Sequence, residues 1–210
     1  MTFSHRNTES SSDKIALIFT KCFRFFADTL FQKNYMHRVL ILETVAAVPG
    51  MVSGMWTHLK SLRSMKRGYG PKIRTLLAEA ENERMHLMTF VALLKPNAFE
   101  KLLVFFVQLF FWHFYFFIYI FFPKTAHRLV GYFEEEAVYS YTQFLKEIDA
   151  GNIENVPAPR IAIDYWHLEE NATLRDVVIA IGIDEESHRD ANHKFADNYD
   201  NLRQEKNELT

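Results

Sequence analysis

Apolar residues recur every three or four positions through most of the chain, and Gly and Pro fall mainly between these stretches; this is a helical pattern. A first amphipathic stretch runs from about Asp13 to Lys33, with Phe, Ile and Leu on one side and basic residues among them. A second runs from about Met36 to Lys66, with a kink at Pro49-Gly50. Gly68-Tyr69-Gly70-Pro71 breaks it, and Pro71 suits the first turn of a third helix that ends near Lys95, where Pro96 stops it. A very apolar run follows, Leu102 to Phe122, closed by Pro123. A fifth helix covers about Thr125 to Ala150, with Gly151 as its C-terminal cap. The connection Val156-Pro157-Ala158-Pro159 leads to a sixth helix, capped by Asn171 and reaching about Leu202. No repeat recurs at a fixed period. The expectation is an all-α single domain over residues 13–202, between a flexible N-terminus (1–12) and a polar tail (203–210).

Composition narrows the class. The chain has 210 residues, enough for one sizeable core. Twenty are Phe, many for a soluble domain of this size, yet 24% are charged, too many for a polytopic membrane protein. The net charge is −2 and the Lys and Arg residues are dispersed, so there is no basic stripe of the kind a nucleic-acid binder shows. The single Cys22 excludes an intramolecular disulfide and a thiolate metal cluster, and reads as a small buried hydrophobe. Residues Met1 to Ser12 are polar and Ser/Thr-rich. They lack the apolar core of a secretory signal and are shorter than a typical organellar transit peptide.

Two Glu-x-x-His motifs carry the candidate chemistry, Glu83-Arg84-Met85-His86 and Glu185-Glu186-Ser187-His188. Residues three apart on a helix share a face, so each pair can present a carboxylate and an imidazole to one point. With 17 Glu and 9 His, chance supplies about 0.7 such motifs, so their number decides nothing. Their setting decides more. Glu43 and Glu134 each lie in an apolar stretch of another helix, where an ionised carboxylate is costly unless paired or bound to metal. The order Glu, Glu-x-x-His, Glu, Glu-x-x-His on four helices is the ligand set of the di-iron and di-manganese carboxylate bundles. Four carboxylates against two divalent ions leave a near-neutral core, and oxygen-rich, imidazole-poor ligation suits iron or manganese better than copper or zinc.

Around these residues, Leu42-Glu43-Thr44, Asn82-Glu83-Arg84-Met85-His86-Leu87, Glu134-Glu135-Glu136-Ala137 and Asp184-Glu185-x-x-His188-Arg189 resemble the four signature boxes of the alternative oxidases, in their mitochondrial or bacterial form rather than the plastid one. The likeness runs from about Asp13 to Ala196. It implies a ferritin-like four-helix bundle with two non-haem irons held by Glu43, Glu83, His86, Glu134, Glu185 and His188. It places Asn82, Asp184, Tyr165, Trp166 and His127 beside them, and Tyr141 as a redox-active tyrosine. It implies a quinol pocket of Arg38, Leu42, Phe133, Glu136, Ala137 and Ser140. It also implies a homodimer through Met55, His58, Leu59, Leu62, Arg63, Met65, Arg84, Leu87 and Gln108. The chain departs from the family pattern at Phe133, where Leu is common, at Ser140, where Thr is common, and at Gly182-Ile183, where Arg-Ala usually stands. None of these is a ligand.

The reaction so implied oxidises two ubiquinols and reduces O₂ to two waters without pumping protons. Its site is the matrix face of a mitochondrial (or mitochondrion-related) inner membrane, with a bacterial cytoplasmic membrane as the lesser alternative. The rival readings are a ferritin-like iron-binding protein and a di-iron quinone hydroxylase. As a helix, Leu102–Phe122 is about 31 Å long, the thickness of a hydrocarbon core. However, Glu83 and His86 precede it and Glu134 follows it. If all three serve one centre, the run cannot cross the bilayer. It is expected to lie on one leaflet as a crossover helix, with the first helix (Phe23, Phe26 and Leu30 beside Lys21, Arg24 and Lys33) next to it.

Overall fold

A computed structural model of the chain describes residues 5–31, 35–65, 67–94 and 96–208. Among the described residues there are seven α-helices: α1 Ser11–Phe31, α2 Tyr35–Ser64, α3 Gly70–Leu93, α4 Ala98–Phe121, α5 Pro123–Asp149, α6 Arg160–Trp166 and α7 Leu174–Glu208. The class is all-α as expected. Among the described residues the only extended pairing is an isolated bridge between Pro157 and Thr173. Lys33, expected near the end of the first helix, lies outside the described residues.

Most predicted boundaries hold, because their punctuation acts locally. Pro71 sits in the first turn of α3, and Gly151, with φ 76°, follows the end of α5. Two expectations need correction. Asn171 does not cap the last helix. Thr173 precedes its first residue, and the Thr173 N–H and hydroxyl both donate to the Asp176 carboxylate at 2.8 Å, half of a capping box. The segment read as connection also contains α6, which starts after Pro159 and ends in left-handed His167, φ 52°. Its seven residues span two turns, too few for periodicity to declare. At the C-terminus, α7 extends through most of the expected tail.

The chain forms two compact units, one of residues 31–117 and 155–177, the other of residues 1–30, 118–154 and 178–210. In the first, α2 and α3 form a closely packed antiparallel pair. A Cβ built on Gly50 would stand 2.5 Å from the Leu76 carbonyl oxygen, so only glycine allows this approach. Gly54 faces the tip of the Leu77 side chain, 2.8 Å from where a Cβ would stand, a contact that a shift of that side chain could relieve. Pro49 lies inside α2, and the Ser53 hydroxyl donates to its carbonyl, 2.5 Å. α4 docks on α2 through an edge-on contact of Phe116 with Trp56 and a hydrogen bond from the Gln108 amide to the Thr44 carbonyl, 2.6 Å.

The second unit joins α1, α5 and α7. Residues 128, 131 and 135 of α5 meet 197 and 193 of α7, so these two helices also run antiparallel. Gly131 is required here: a Cβ would stand 2.5 Å from the His193 ring. A buried charge network ties the three helices. Arg128 donates to Asp13 on α1 at 2.8 Å, and to Asp197 and His193 on α7. Burial alone would raise the Asp13 carboxyl, but the Ser10 hydroxyl, the Arg128 charge and the Glu9 and Ser10 N–H groups hold it below its usual range.

α1 and α4 turn their apolar surface outward. On α1 the buried stripe is Asp13, Ala16, Thr20 and Ala27, while Ile15, Ile18, Phe25, Phe26 and Leu30 are exposed. On α4 only Phe111, Tyr115 and Tyr119 are buried, and eight large apolar side chains, Phe105, Phe106 and Phe110 among them, are exposed. Cys22, read from sequence as buried, is exposed on α1, because the inward stripe of that helix consists of other small residues.

Candidate metal centre

Each unit assembles half of the predicted ligand set. In the first, α2 supplies Glu43 and α3 supplies Glu83 and His86; all three are buried, and one donor atom from each lies within 4.8 Å of the other two. The His86 Nδ1 stands 3.5 Å from Glu43 and 3.3 Å from Glu83. In the second, α5 supplies Glu134 and α7 supplies Glu185 and His188, again buried and with donor atoms within 4.8 Å of one another. The His188 Nδ1 is 3.7 Å from Glu185. The contacts are longer than the roughly 2.7–2.9 Å of a charge-assisted hydrogen bond. Donor atoms this close together could share one ion.

The two halves match in composition, each with two carboxylates and one imidazole. Two like charges buried this close repel, and withdrawing them from water is expensive unless a cation shares the space. A metal ion satisfies both demands, and the donor set fits a divalent ion of oxygen preference.

The residues expected around the ligands fall into the same two groups. α6 turns its end toward α3: Trp166 stacks on His86 (ring centroids 5.9 Å apart, planes at 23°), and Asn82 donates to the Tyr165 hydroxyl at 3.0 Å. Stacking by a large ring restrains the imidazole of a ligand and keeps water away from it. In the second unit, His127 is buried, shares a hydrogen bond with Asn192 at 3.2 Å and meets Tyr119 edge-on. Tyr141 is buried on α5 seven residues after Glu134, and Asp184 is half-buried just before Glu185.

The expected quinol-site residues are divided too. Arg38 is buried and Leu42 partly exposed one turn along α2. Phe133, Glu136, Ala137 and Ser140 are half-buried along α5. Phe133 packs edge-on against Phe23 of α1 at 5.7 Å, and the Ser140 hydroxyl donates to the Glu136 carbonyl at 2.7 Å. Glu136 is paired with Arg24 of α1 and with the His5 ring, 2.8 Å. Sequence reading assigned neither partner to it. Arg24 was counted among interfacial cations, and His5 lay in the segment expected to be flexible; pairings 112 and 131 positions apart leave no local signal.

Glu135, between the two assigned carboxylates, was missed as well. Burial would raise its carboxyl. Hydrogen bonds from His193, His5 and the Arg6 N–H overcome that and hold it at about 2.

Comparison with known proteins agrees with this site. The pattern that defines the alternative oxidases matches residues 1–197. The chain is 58% identical over 193 residues to a mitochondrial ubiquinol oxidase of Batrachochytrium dendrobatidis, covering 92% of this chain and 61% of that protein. It is 57% identical to ubiquinol oxidase 2, mitochondrial, of Nicotiana tabacum (90% and 63% covered), and 56% identical to ubiquinol oxidase 1c, mitochondrial, of Arabidopsis thaliana (92% and 58%). The chain thus spans about 60% of the length of these curated relatives. With both Glu-x-x-His motifs and both lone glutamates buried in three-donor groups, and the family pattern matching nearly end to end, the chain belongs to the alternative oxidase family.

Proposed function

We propose that the chain is a quinol:oxygen oxidoreductase in which these two three-donor groups serve to hold two irons. The observation that carries this reading is the matched pair of buried two-carboxylate, one-imidazole sets in a chain of this family. Relatives named ubiquinol oxidase support ubiquinol as the donor. The overall change is two ubiquinols and one O₂ to two ubiquinones and two waters, with no proton pumping. The irons, when bound, supply the four-electron redox chemistry that no side chain can. Glu43, Glu83, Glu134 and Glu185 neutralise their charge, and His86 and His188 complete the donor set. Tyr141 is the redox-active side chain. Arg38, Leu42, Phe133, Ala137 and Ser140 orient the quinol ring, and Glu136 receives a hydroxyl proton from it.

The exposed apolar faces of α1 and α4 support a monotopic seat on one leaflet, from which the lipid-soluble quinol enters directly. α4 is long and apolar enough to span, but ligands precede and follow it, and one centre requires both on one side. The relatives' names favour a mitochondrial membrane, with the matrix face as the site of attachment. We also propose a homodimer through the outer face of α2, where Met55, His58, Leu59, Leu62 and Arg63 are exposed. Three expected members of that interface fit it less well. Met65 lies beyond the end of α2 with φ 50°, so it leaves the helical face; Gln108 is bonded to α2, and Arg84 is ion-paired to Glu81.

The decisive experiment is oxygen uptake by purified protein given a short-chain quinol, with and without cyanide. Uptake that persists in cyanide, two irons per chain, and loss of turnover with iron retained in Tyr141→Phe are expected. Absence of quinol-dependent uptake, or zinc in place of iron, would overturn the reading. Topology is tested separately in a Cys22→Ser background, with reporter cysteines before Lys101 and after Lys124. Both should react with an impermeant reagent from the same side of sealed vesicles.

A further inference from the structure

The segment before α1 lies along α5 and is bonded to it. The His5 ring places Nδ1 2.7 Å from a Glu135 oxygen and Nε2 2.8 Å from a Glu136 oxygen. One imidazole thus bridges two neighbouring carboxylates. Its ring edge packs on Tyr132 at 5.7 Å. The Arg6 N–H donates to both Glu135 oxygens, at 3.1 and 3.2 Å, and the Tyr132 hydroxyl donates to the Arg6 carbonyl at 3.3 Å. The Arg6 guanidinium reaches Asp197 on α7 at 3.1 Å.

The two carboxylates gripped by His5 are held differently. Glu135 also accepts from His193, which Arg128 backs at 2.8 Å, so its oxygens meet donors from the N-terminal segment and from α7. It is an anchor. Glu136 is half-buried at the end of a flexible side chain and is met by His5 and Arg24. A carboxylate of this kind has a broad terminal torsion, which only its contacts restrict.

We propose that His5 is a positioning residue for Glu136: it ties this carboxylate to the anchored one, so that Glu136 presents a single oxygen geometry to the quinol hydroxyl. The inference rests on the reading of Glu136 as the proton-accepting group of the quinol site. It assigns residues 5 and 6, before α1, a part in catalysis through α5.

The test is a double-mutant cycle on the iron-loaded, membrane-reconstituted full chain, read as kcat/KM for a short-chain quinol together with iron content and Tm. His5→Ala should lower kcat/KM about tenfold with iron retained, and Tm should fall equally in the wild-type and Glu136→Gln backgrounds. In a Glu136→Gln background the same change should matter less than twofold, because the group it acts through is already altered. Free imidazole should restore part of the activity of His5→Gly. Wild-type kinetics for His5→Ala, an equal loss of kcat/KM in both backgrounds, or a loss accompanied by iron release would each overturn the inference. If the wild-type chain oxidises no quinol, the functional reading falls first and this inference with it; if only the cycle fails, the oxidase reading stands.

Discussion

α2 and α4 are both long and apolar enough to cross a membrane, yet 61% of the most apolar window of α2 is buried against 17% of that of α4. Hydropathy records composition, and composition is shared; the difference lies in side-chain size and in the placement of charge. α2 presents Gly50, Ser53 and Gly54 toward α3, so backbones approach closely and its apolar stretch becomes core. It also buries Arg38 and Glu43, which only a protein interior with partners can accommodate. α4 has Phe, Trp and Tyr where α2 has Gly, so it docks through one stripe and leaves the rest outside. Within its apolar run, Gln108 bonds the Thr44 carbonyl of α2 and His113 the Leu109 carbonyl, 2.7 Å.

Four measurements sharpen or break this contrast. The largest effect belongs to the charge buried on α2. Glu43→Gln should lower iron below one per chain and cut quinol-dependent oxygen uptake on the order of a hundredfold, the loss typical when a carboxylate leaves a metal site; metal analysis and an oxygen electrode give the answer. Next is the close approach. Gly50→Val drives a side chain into the Leu76 carbonyl and should cost about 3 kcal/mol in denaturant unfolding. Wild-type stability there would mean that α2 and α3 pack less tightly than described.

On α4 the expected result is the reverse. Phe105→Ser, Phe106→Ser and Phe110→Ser together remove three exposed rings, at about 1 kcal/mol of lipid contact each. Vesicle partitioning should fall on the order of a hundredfold, while unfolding shifts by less than about 0.5 kcal/mol per site. A collapse of stability would place α4 in the core instead.

The smallest effect concerns α1, which shares the outward apolar face but is tied down by charge. The Asp13 carboxyl is held below its ordinary value of 3.8, so its ionised form supports the fold. That support is present in full above about pH 4 and is lost as pH falls through the lower folded value. Asp13→Asn should therefore flatten the acid limb of the stability curve and weaken the fold at neutral pH, as measured by Tm against pH.

Much of this architecture was legible in the chain, because the signals were local. Pro71 and Gly151 set helix ends by constraining one residue's backbone, and the i, i+3 spacing of Glu83 with His86 and of Glu185 with His188 put each pair on one face. Where two local signals competed, sequence reading chose wrongly. Asn171 and Thr173 are both good caps, and Asp176, three residues after Thr173, decided between them.

The sequence by itself determined an all-helical chain, the six candidate ligands, their order on four helices, and the apolar character of α1 and α4. Only the tertiary structure decided that α2 is core and α4 surface, that Trp166 covers His86, and that His5 and Arg24 hold Glu136. The reason is range. Periodicity and capping act within a few residues, whereas an imidazole clamped on carboxylates 130 and 131 positions away, or a glycine placed against a carbonyl 26 positions away, exists only once the chain has folded back on itself.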